Sequence, residues 1–310
     1  MPALICGSLA YDTIMVFPDQ FKNHILPDKV HILNVSFLVP RMRREFGGCA
    51  GNIAYNLKLL GGDPVPMATV GGDFGPYRAW FEENEIPLDR VKVLDELFTP
   101  QAFITTDHDN NQITAFHPGA MMRSYENHVK DVPGVTIGIV SPDGYEGMLQ
   151  NAREFHEAGI PFIFDPGQAM PLFNGEELRA FIEQADYVTV NDYESNLLQE
   201  RTGWDEKTIA GKVKAYIATR GPKGACIMAG GKVHDIPPAR ERRVTDPTGC
   251  GDAFRAGLIH GITSGCDWET TGRMGNLMGA LKVEHHGTQN QRFDYDGFAE
   301  QFREQFGYAL

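Results

Sequence analysis

The stretch that decides the fold is Thr245-Asp246-Pro247-Thr248-Gly249-Cys250-Gly251-Asp252-Ala253-Phe254. Its small residues, at 248–251, allow several backbone N–H groups to converge on one point. Apolar residues continue from Ala253 at helical spacing, so the pattern predicts a loop that runs into a helix N-terminus. Unpaired N–H groups and the helix dipole at such a terminus favour an anion, and a phosphate fits best.

Asp252, in the first turn of this predicted helix, indicates catalysis. A carboxylate beside a phosphate is electrostatically unfavourable unless it has a task, such as accepting the proton of an attacking hydroxyl. The structural alternative is a first-turn acid that the helix dipole favours, in a loop whose glycines only turn the chain. The motif by itself leaves both interpretations open.

Composition narrows the class of protein. A chain of 310 residues can form one large α/β domain or two small ones. The five cysteines are scattered, without the paired spacing of a zinc site, and indicate reduced cytosolic thiols. No apolar run is long enough to cross a bilayer and the N-terminus lacks a signal pattern, so we expect a cytoplasmic protein with no membrane partner. A net charge of −13 argues against nucleic acid as a partner.

Strand and helix patterns alternate between residues 135 and 190, which is typical of a parallel sheet covered by helices on both faces. Ligands bind such sheets at the carboxyl ends of the strands. Side chains expected at those ends are Asp12, Gln168, Asn191 and Glu194. Asp12 could equally be a turn residue. Asn191 and Glu194 could hold a hydrated magnesium ion, or form a helix cap with Glu194 in the first turn.

A second glycine loop, Phe46-Gly47-Gly48-Cys49-Ala50-Gly51-Asn52, also precedes a helical pattern. Its glycines allow close approach of the backbone, and Asn52 could donate to and accept from a sugar diol. The alternative is an ordinary glycine turn with a solvated Asn52.

A hairpin is predicted for residues 102–106 and 112–116, around a polar turn at 107–111. Phe103 and Phe116 would lie near each other at its base and could sandwich a flat heterocycle, although a packed core pair is the commoner arrangement. Residues 30–39 are rich in β-branched and apolar side chains and are expected to be extended.

The chain resembles the ribokinase-like, or PfkB-type, sugar and nucleoside kinases. The resemblance rests on three motifs whose order and spacing agree from end to end: Gly47-Gly48-Cys49-Ala50-Gly51-Asn52, Asn191-x-x-Glu194 and Asp246-Pro247-Thr248-Gly249-Cys250-Gly251-Asp252. Within the family the chain is most similar to the bacterial adenosine kinases of the mycobacterial type. That similarity includes Gly7-Ser8 with Asp12, Ser36-Phe37-Leu38-Val39 and Phe116-x-Pro118-Gly119-Ala120-Met121.

The resemblance implies a fold and an activity. The fold would be ribokinase-like α/β: a doubly wound, mostly parallel sheet with helices on both faces and a small β-sheet lid. One kinase domain would cover residues 1–310, with its lid formed by about 12–44 and 99–118. The activity would be ATP-dependent phosphorylation of the 5′-hydroxyl of adenosine or another ribonucleoside, with Mg2+ and, as often in the family, K+ as cofactors.

The resemblance also implies roles for individual residues. Asp252 would be the catalytic base, and the amides of Gly249, Cys250 and Gly251 would form the anion hole. The residues implied for the nucleoside are Ser8, Asp12, Ser36, Gly48, Asn52, Phe103, Phe116 and Gln168. Those implied for ATP and Mg2+ are Asn191, Glu194, Thr219, Gly221, Gly224, Thr248, Gly249 and Gly251, with Glu194 reaching Mg2+ through water. Asp246 and Thr248 would be the K+ ligands.

Departures from the family pattern keep alternatives open. Pro247 stands where many members have Thr and cannot donate an N–H, and Cys250 replaces an Ala. Gln168-Ala169 stands where the similar adenosine kinases tend to carry two glutamines, so adenine recognition is expected to be relaxed. The alternatives are a ribokinase-type sugar kinase and, more remotely, an NAD-dependent oxidoreductase. A homodimer through the lid is a further hypothesis, because sheet edges and apolar faces seek cover.

Overall fold

The computed structural model describes residues 1–25, 34–109 and 111–310 of the chain. These residues form two sheets and the helices that cover them. The strands are β1 (Pro2–Cys6), β2 (Ala10–Val16), β3 (Arg41–Gly47), β4 (Asp63–Gly71), β5 (Val91–Leu94), β6 (Gln101–Thr106), β7 (Gln112–His117), β8 (Ile137–Val140), β9 (Phe162–Phe164), β10 (Tyr187–Asn191), β11 (Ala215–Thr219), β12 (Ala225–Ala229) and β13 (Lys232–Ile236). The α-helices are α1 (Cys49–Leu59), α2 (Gly75–Glu83), α3 (Tyr145–Ala158), α4 (Gly175–Gln184), α5 (Asp192–Thr202), α6 (Glu206–Ala210), α7 (Cys250–Thr263), α8 (Trp268–Val283) and α9 (Tyr295–Phe306).

The larger sheet has nine strands in the order β13-β12-β11-β10-β9-β8-β1-β4-β5. The strands from β11 to β5 pair in parallel, and β12 and β13 extend one edge antiparallel. Parallel sheets need cover on both faces. In β1, Leu4 belongs to the apolar cluster of Met148 in α3, whereas Ile5 belongs to that of Ile53 in α1. The sheet is therefore doubly wound, and the predicted fold class is confirmed.

Helices α7 and α8 pack unusually closely, and this contact positions the site described below. A side-chain carbon at Gly257 of α7 would lie 2.8 Å from the Cα of Gly275 in α8, so only glycine allows this approach. This contact joins the middle of α7 to the middle of α8, and at the start of α7 the Cys250 carbonyl oxygen would lie 3.6 Å from a side-chain carbon at Gly279. In the described ranges, none of the helices is both long and apolar enough to cross a membrane.

The smaller sheet, which we call the lid sheet, has the order β3-β2-β6-β7. Strands β6 and β7 form the predicted hairpin, with residue 110 of its turn outside the described residues. Strand β2 pairs in parallel with β6 and antiparallel with β3, so the sheet is mixed. The predicted lid segments, 12–44 and 99–118, contain most of these strands. That this sheet closes over a ligand stays a prediction.

The predicted extended segment at 30–39 is described only in part. Residues 30–33 lie outside the described part of the chain, and 34–39 carry no strand. The strand of this region is β3, whose first four residues are exposed. Without a buried face those residues have no apolar alternation that would mark them as a strand. The same reason explains why β13, which is also mostly exposed, was not predicted.

Candidate active site

The two glycine loops start helices that meet at their first turns. The side-chain amide of Asn52 in α1 donates to Asp252 Oδ2 in α7 over 2.7 Å, although 200 residues separate them. The predicted ribose-binding Asn and the predicted base are therefore direct neighbours. This contact brings the two candidate motifs into one site.

A buried glutamine fixes the orientation of Asn52. Gln289 Nε2 donates to Asn52 Oδ1 over 3.0 Å and to the Tyr77 hydroxyl over 2.6 Å. Gln289 Oε1 in turn accepts from Trp80 Nε1 over 2.9 Å. Asn52 thus bridges Gln289 and Asp252, which differs from the expectation that both of its polar atoms face a sugar diol. Sequence reasoning missed Gln289, because nothing in its local pattern shows which distant amide it will contact.

Two carboxyl groups of the site have raised pKa values. Burial raises the pKa of Asp252 to about 6, and the hydrogen bond from Asn52 opposes that rise. Burial, followed by the charges of Glu45 and Asp246, raises the pKa of Asp12 to about 6. Perturbed carboxyl groups that share a cleft are typical of catalytic sites.

Gly47 and Gly48 act through their lack of a side chain. A carbon at Gly47 would lie 2.5 Å from Asp12 Oδ2, so glycine lets this carboxylate lie against the loop. Gly48 caps α1 with φ of +85°, a conformation that favours glycine, and a side chain there would overlap the Ser8 carbonyl oxygen. Both glycines are therefore required by the loop geometry.

The remaining candidates for the nucleoside differ in their surroundings. Ser8 is buried, and its Oγ accepts from the Cys49 N–H over 3.4 Å at the start of α1. Gln168 is exposed in a short 3-10 helix that follows β9, which agrees with the predicted strand-end position. Ser36 is exposed, and among the described residues no hydrogen bond joins its side chain to the site. Their roles stay predictions.

The two lid phenylalanines project to opposite faces. Residues alternate between the faces of a strand, and directly paired residues share a face. Ala102 pairs with both Asp12 and Phe116, so Phe116 lies on the face of Asp12. Phe103 pairs with Ala115 and lies on the other face. The predicted sandwich between Phe103 and Phe116 of one chain is therefore wrong.

The loop before α7 presents unpaired amides, as predicted, but not the predicted set. Gly249 caps the helix with φ of +79°. The Cys250 N–H donates to the Pro247 carbonyl over 3.2 Å and is therefore engaged within the turn. Within this loop and the first turn of α7, all of them described residues, the N–H groups of Gly249, Gly251 and Asp252 have no protein partner. The prediction that the Cys250 amide belongs to the anion hole is therefore wrong, because the turn already engages this N–H group.

A cavity of about 260 Å³ opens beside this loop. It is lined by predicted nucleotide-binding residues, namely Thr219, Gly221 and Gly224, together with Gly251 and Cys250. Small residues of α8, which the sequence did not single out, form another part of its wall: Gly275, Gly279 and Ala280. The cavity therefore lies between the end of β11, the start of α7 and the C-terminal half of α8.

Asn191 and Glu194 form a reciprocal helix cap. Asn191 Oδ1 accepts from the Glu194 N–H, and Glu194 Oε2 accepts from the Asn191 N–H, both over 2.8 Å. This is the capping alternative that the sequence left open. Burial, followed by the charge of Asp165, raises the pKa of Glu194. Within the described residues Glu194 Oε1 accepts no hydrogen bond, and no cluster of three metal-binding side chains exists.

A buried ion pair joins the start of α7 to the end of β9. Arg255 donates from Nε and Nη2 to the two carboxylate oxygens of Asp165 over 2.6 and 2.7 Å. A side chain at Gly251 would meet Arg255 Nη1 at 2.8 Å, so the guanidinium lies directly under the amide loop. Sequence reasoning assigned Arg255 no role, because its partner is 90 residues away.

The oxygen atoms of Asp246 accept hydrogen bonds that stabilise the amide loop, residues 245–251, which runs into α7. Its Oδ1 accepts from the Thr248 N–H and its Oδ2 from the Gly287 N–H, both over 3.0 Å. Its carbonyl oxygen accepts from Lys282 Nζ over 2.7 Å. All three oxygen atoms of the predicted K+ ligand Asp246 are therefore engaged by protein donors.

The site combines a carboxylate, unpaired backbone amides and a pocket at the ends of parallel strands. These features are typical of a phosphotransferase that acts on an alcohol. The model of the pfkB family carbohydrate kinases matches residues 11–293, and the chain belongs to this family. The predicted family is thus confirmed, and with it phosphoryl transfer to an alcohol.

Several relatives are similar over nearly their whole length. The nucleoside kinase of Methanocaldococcus jannaschii is 31% identical over 269 residues, which cover 86% of this chain and 88% of that one. The structure of Burkholderia thailandensis nucleoside kinase in complex with inosine is 52% identical, with a TM-score of 0.91 and 99% of both chains covered. The structure of the same kinase in complex with ADP-inosine is 54% identical, with a TM-score of 0.88 and coverage of 99% and 97%.

Proposed function

We propose that the chain is an ATP-dependent nucleoside kinase that phosphorylates the 5′-hydroxyl of adenosine and other ribonucleosides. The observation that carries this proposal is the hydrogen bond between Asn52 and Asp252, because it joins the candidate ribose loop to the candidate base. The similar nucleoside kinases support the substrate class. The inosine complex of one of them supports a purine nucleoside as the acceptor.

In the proposed reaction Asp252 accepts the proton of the 5′-hydroxyl as this oxygen attacks the γ-phosphorus of ATP. The O–P bond to the nucleoside forms while the bond to ADP breaks, and charge spreads over the transferring oxygens. The unpaired N–H groups of Gly249 and Gly251 would stabilise this charge. A pKa of about 6 leaves Asp252 mostly ionised at neutral pH and makes it a stronger proton acceptor than an exposed Asp.

Magnesium fits the donors that the site offers. Mg2+ keeps several waters and is bound through one or two carboxylates together with substrate phosphates. Glu194 has a free Oε1 among the described residues and lies 3.9 Å from the Arg255 guanidinium beneath the amide loop. We propose that Glu194 holds the ion through water, where it would neutralise phosphate charge. Thr219, Gly221 and Gly224 would contact the nucleotide in the cavity.

Base recognition would depend on Phe116. It is 49% exposed on the Asp12 face of the lid sheet, so its ring is free to cover a base whose ribose Asp12 holds. Gln168 would reach the base from the end of β9. Because one aromatic face in a chain recognises shape more than hydrogen-bonding groups, we propose a preference for adenosine with tolerance of other bases.

The proposed function is tested by a panel of nucleosides and free sugars with ATP, assayed with wild type and Phe116→Ala. We expect kcat/KM for adenosine and inosine to exceed that for ribose, and Phe116→Ala to lower it by about tenfold for the nucleosides only. The control Tyr125→Ala removes a partly exposed aromatic ring outside the lid sheet. It is expected to change kcat/KM neither for the nucleosides nor for ribose. Equal losses for nucleosides and ribose, or a preference for a free sugar, would favour a ribokinase-type sugar kinase.

The pH profile of kcat/KM is expected to fall on the acid side of pH 6. Both Asp252 and Asp12 have raised pKa values of about 6 in the free protein, and both would act in their ionised forms. The value of kcat/KM should therefore be constant above about pH 7 and decline below pH 6. In a plot of log kcat/KM against pH, the slope on the acid side should approach two. In Asp12→Asn only Asp252 remains to titrate, so the slope should fall to one. A flat profile down to pH 5 would exclude Asp252 as the base.

We propose that two copies pair through the lid sheet. The face opposite Asp12 exposes three apolar side chains: Met42, Phe103 and Ile113 are 68%, 39% and 44% exposed, and the strand register places them on one side together with Arg44 and Thr105. Such a face favours a partner surface of the same kind. Sedimentation should therefore show a dimer for wild type and a monomer for Phe103→Asp. A monomeric wild type would end the proposal.

A further inference from the structure

Lys282, near the end of α8, is fully buried in the described structure, with 0% of its surface exposed. Buried lysines are rare unless they are paired with a charge. Within the described residues no carboxylate lies within salt-bridge distance of its Nζ. The ammonium group donates instead to two backbone carbonyls, Asp246 O over 2.7 Å and His285 O over 3.1 Å.

These carbonyls belong to the two loops that hold the start of α7. The loops are also joined directly, since the N–H groups of Thr245 and Asp246 both donate to the Val283 carbonyl, over 2.8 and 3.0 Å. The Gly287 N–H also donates to Asp246 Oδ2, which is a further contact between the two loops. The ammonium group therefore lies at the junction of both loops.

Backbone carbonyl oxygens, which here hold the ammonium group, are also the groups with which proteins bind a potassium ion. The family resemblance implies K+ at this loop, with Asp246 and Thr248 as ligands. The residues present do not fit that ion, because the Asp246 carbonyl is taken by Lys282 and both of its carboxylate oxygens are taken by N–H groups. Lys282 already supplies a single positive charge to the same carbonyls.

We propose that the Lys282 ammonium is a built-in replacement for the monovalent cation: it braces the amide loop, adds positive charge beneath the phosphoryl site, and makes the protein independent of K+. Lys282 is thus a positioning residue, since it acts through the loop and does not touch the reacting atoms. Burial lowers the pKa of Lys282, and the charge of Asp252 is among those that oppose this shift, which agrees with a position near the start of α7. The inference rests on the proposed kinase reaction.

The test compares KCl with choline chloride at equal ionic strength. For wild type, kcat and Tm are expected to be the same in both salts. Lys282→Ala removes the charge and leaves a space, so kcat should fall roughly 10- to 100-fold with an unchanged nucleoside KM. KCl or NH4Cl should then restore part of kcat and raise Tm, whereas LiCl should not. The control is Lys214→Ala, an exposed lysine paired with Asp186, for which no salt response is expected.

Three outcomes would overturn the proposal. One is a wild type whose kcat or Tm rises on replacing choline by K+, because the ammonium would then not serve as the cation. Another is Lys282→Ala with unchanged kcat, and the third is a loss that no cation reverses. If Lys282→Ala does not fold, the wild-type series in the two salts still decides. The Tm measurements need no substrate, so a failure of the kinase assignment itself would show separately, as wild type without nucleoside phosphorylation.

Discussion

Replacing Asp252 with Asn is expected to lower kcat by roughly 10³-fold while leaving the affinity for adenosine close to that of wild type. The physical reason is that an amide cannot accept the 5′-hydroxyl proton, although it fills the same space. Its oxygen can still accept the hydrogen bond from Asn52, which is 2.7 Å long in the wild-type structure. The loop geometry, and with it nucleoside binding, should therefore persist. Turnover is measured with a coupled ADP assay, and affinity by calorimetry without ATP.

The matched control for this prediction is Asp296→Asn. Asp296 is an exposed acid in the first turn of α9, so it interacts with a helix dipole as Asp252 does but lies outside the site. A small loss of stability and full activity are expected. If Asp252→Asn behaves in the same way, Asp252 is only a first-turn acid and the catalytic assignment is wrong.

Arg255→Met is expected to lower the free energy of unfolding by about 3–5 kcal/mol. The Arg255 and Asp165 side chains are only 7% and 3% exposed, so removing the guanidinium leaves a buried carboxylate without its counter-charge. The loss should be visible as a shift of the urea midpoint at unchanged m-value. Activity should fall as well, because the guanidinium lies directly under Gly251.

A double variant separates the ion pair from simple packing. Asp165→Leu combined with Arg255→Met removes both charges, so it should be less destabilising than Arg255→Met alone. The exposed pair of Lys212 and Glu183 provides the comparison, and Lys212→Met should cost less than about 1 kcal/mol. If the double variant is the less stable one, the carboxylate is not the source of the loss.

Local chemistry explains why much of the site was predictable. Glycines that must approach another backbone, and a helix start with unpaired amides, follow from residues adjacent in sequence. Gly48, Gly249 and Asp252 were therefore identified before their surroundings were known. The contact between Asn52 and Asp252 was not predictable in this way, because α1 follows strand β3 of the lid sheet and α7 follows a loop, not a strand of the parallel sheet.

The aromatic sandwich failed for a reason that the sequence already contained. Hairpin strands at 102–106 and 112–116 pair 102 with 116, and therefore Phe103 with residue 115. Because side chains alternate with a period of two, this register places Phe103 and Phe116 on opposite faces. The predicted hairpin is confirmed, and its register alone separates the two rings.

The groups that could not be predicted are those whose partners are distant. Arg255, Lys282 and Gln289 each contact at least one partner that is distant in the chain, and no local pattern encodes those contacts. A buried lysine is even contrary to composition-based expectation, since lysine is normally a surface residue. Such residues become visible only when the packing around them is known.

The bond between Asn52 and Asp252 has a consequence for how the protein is made. Both partners exist outside the ribosome only after residue 252 has left it, so no shorter nascent fragment can be active. Recovery of turnover after dilution from urea should therefore report completion of the native state. It should lag behind the far-ultraviolet signal of the early helices, because pairing remote segments is the slow part of folding.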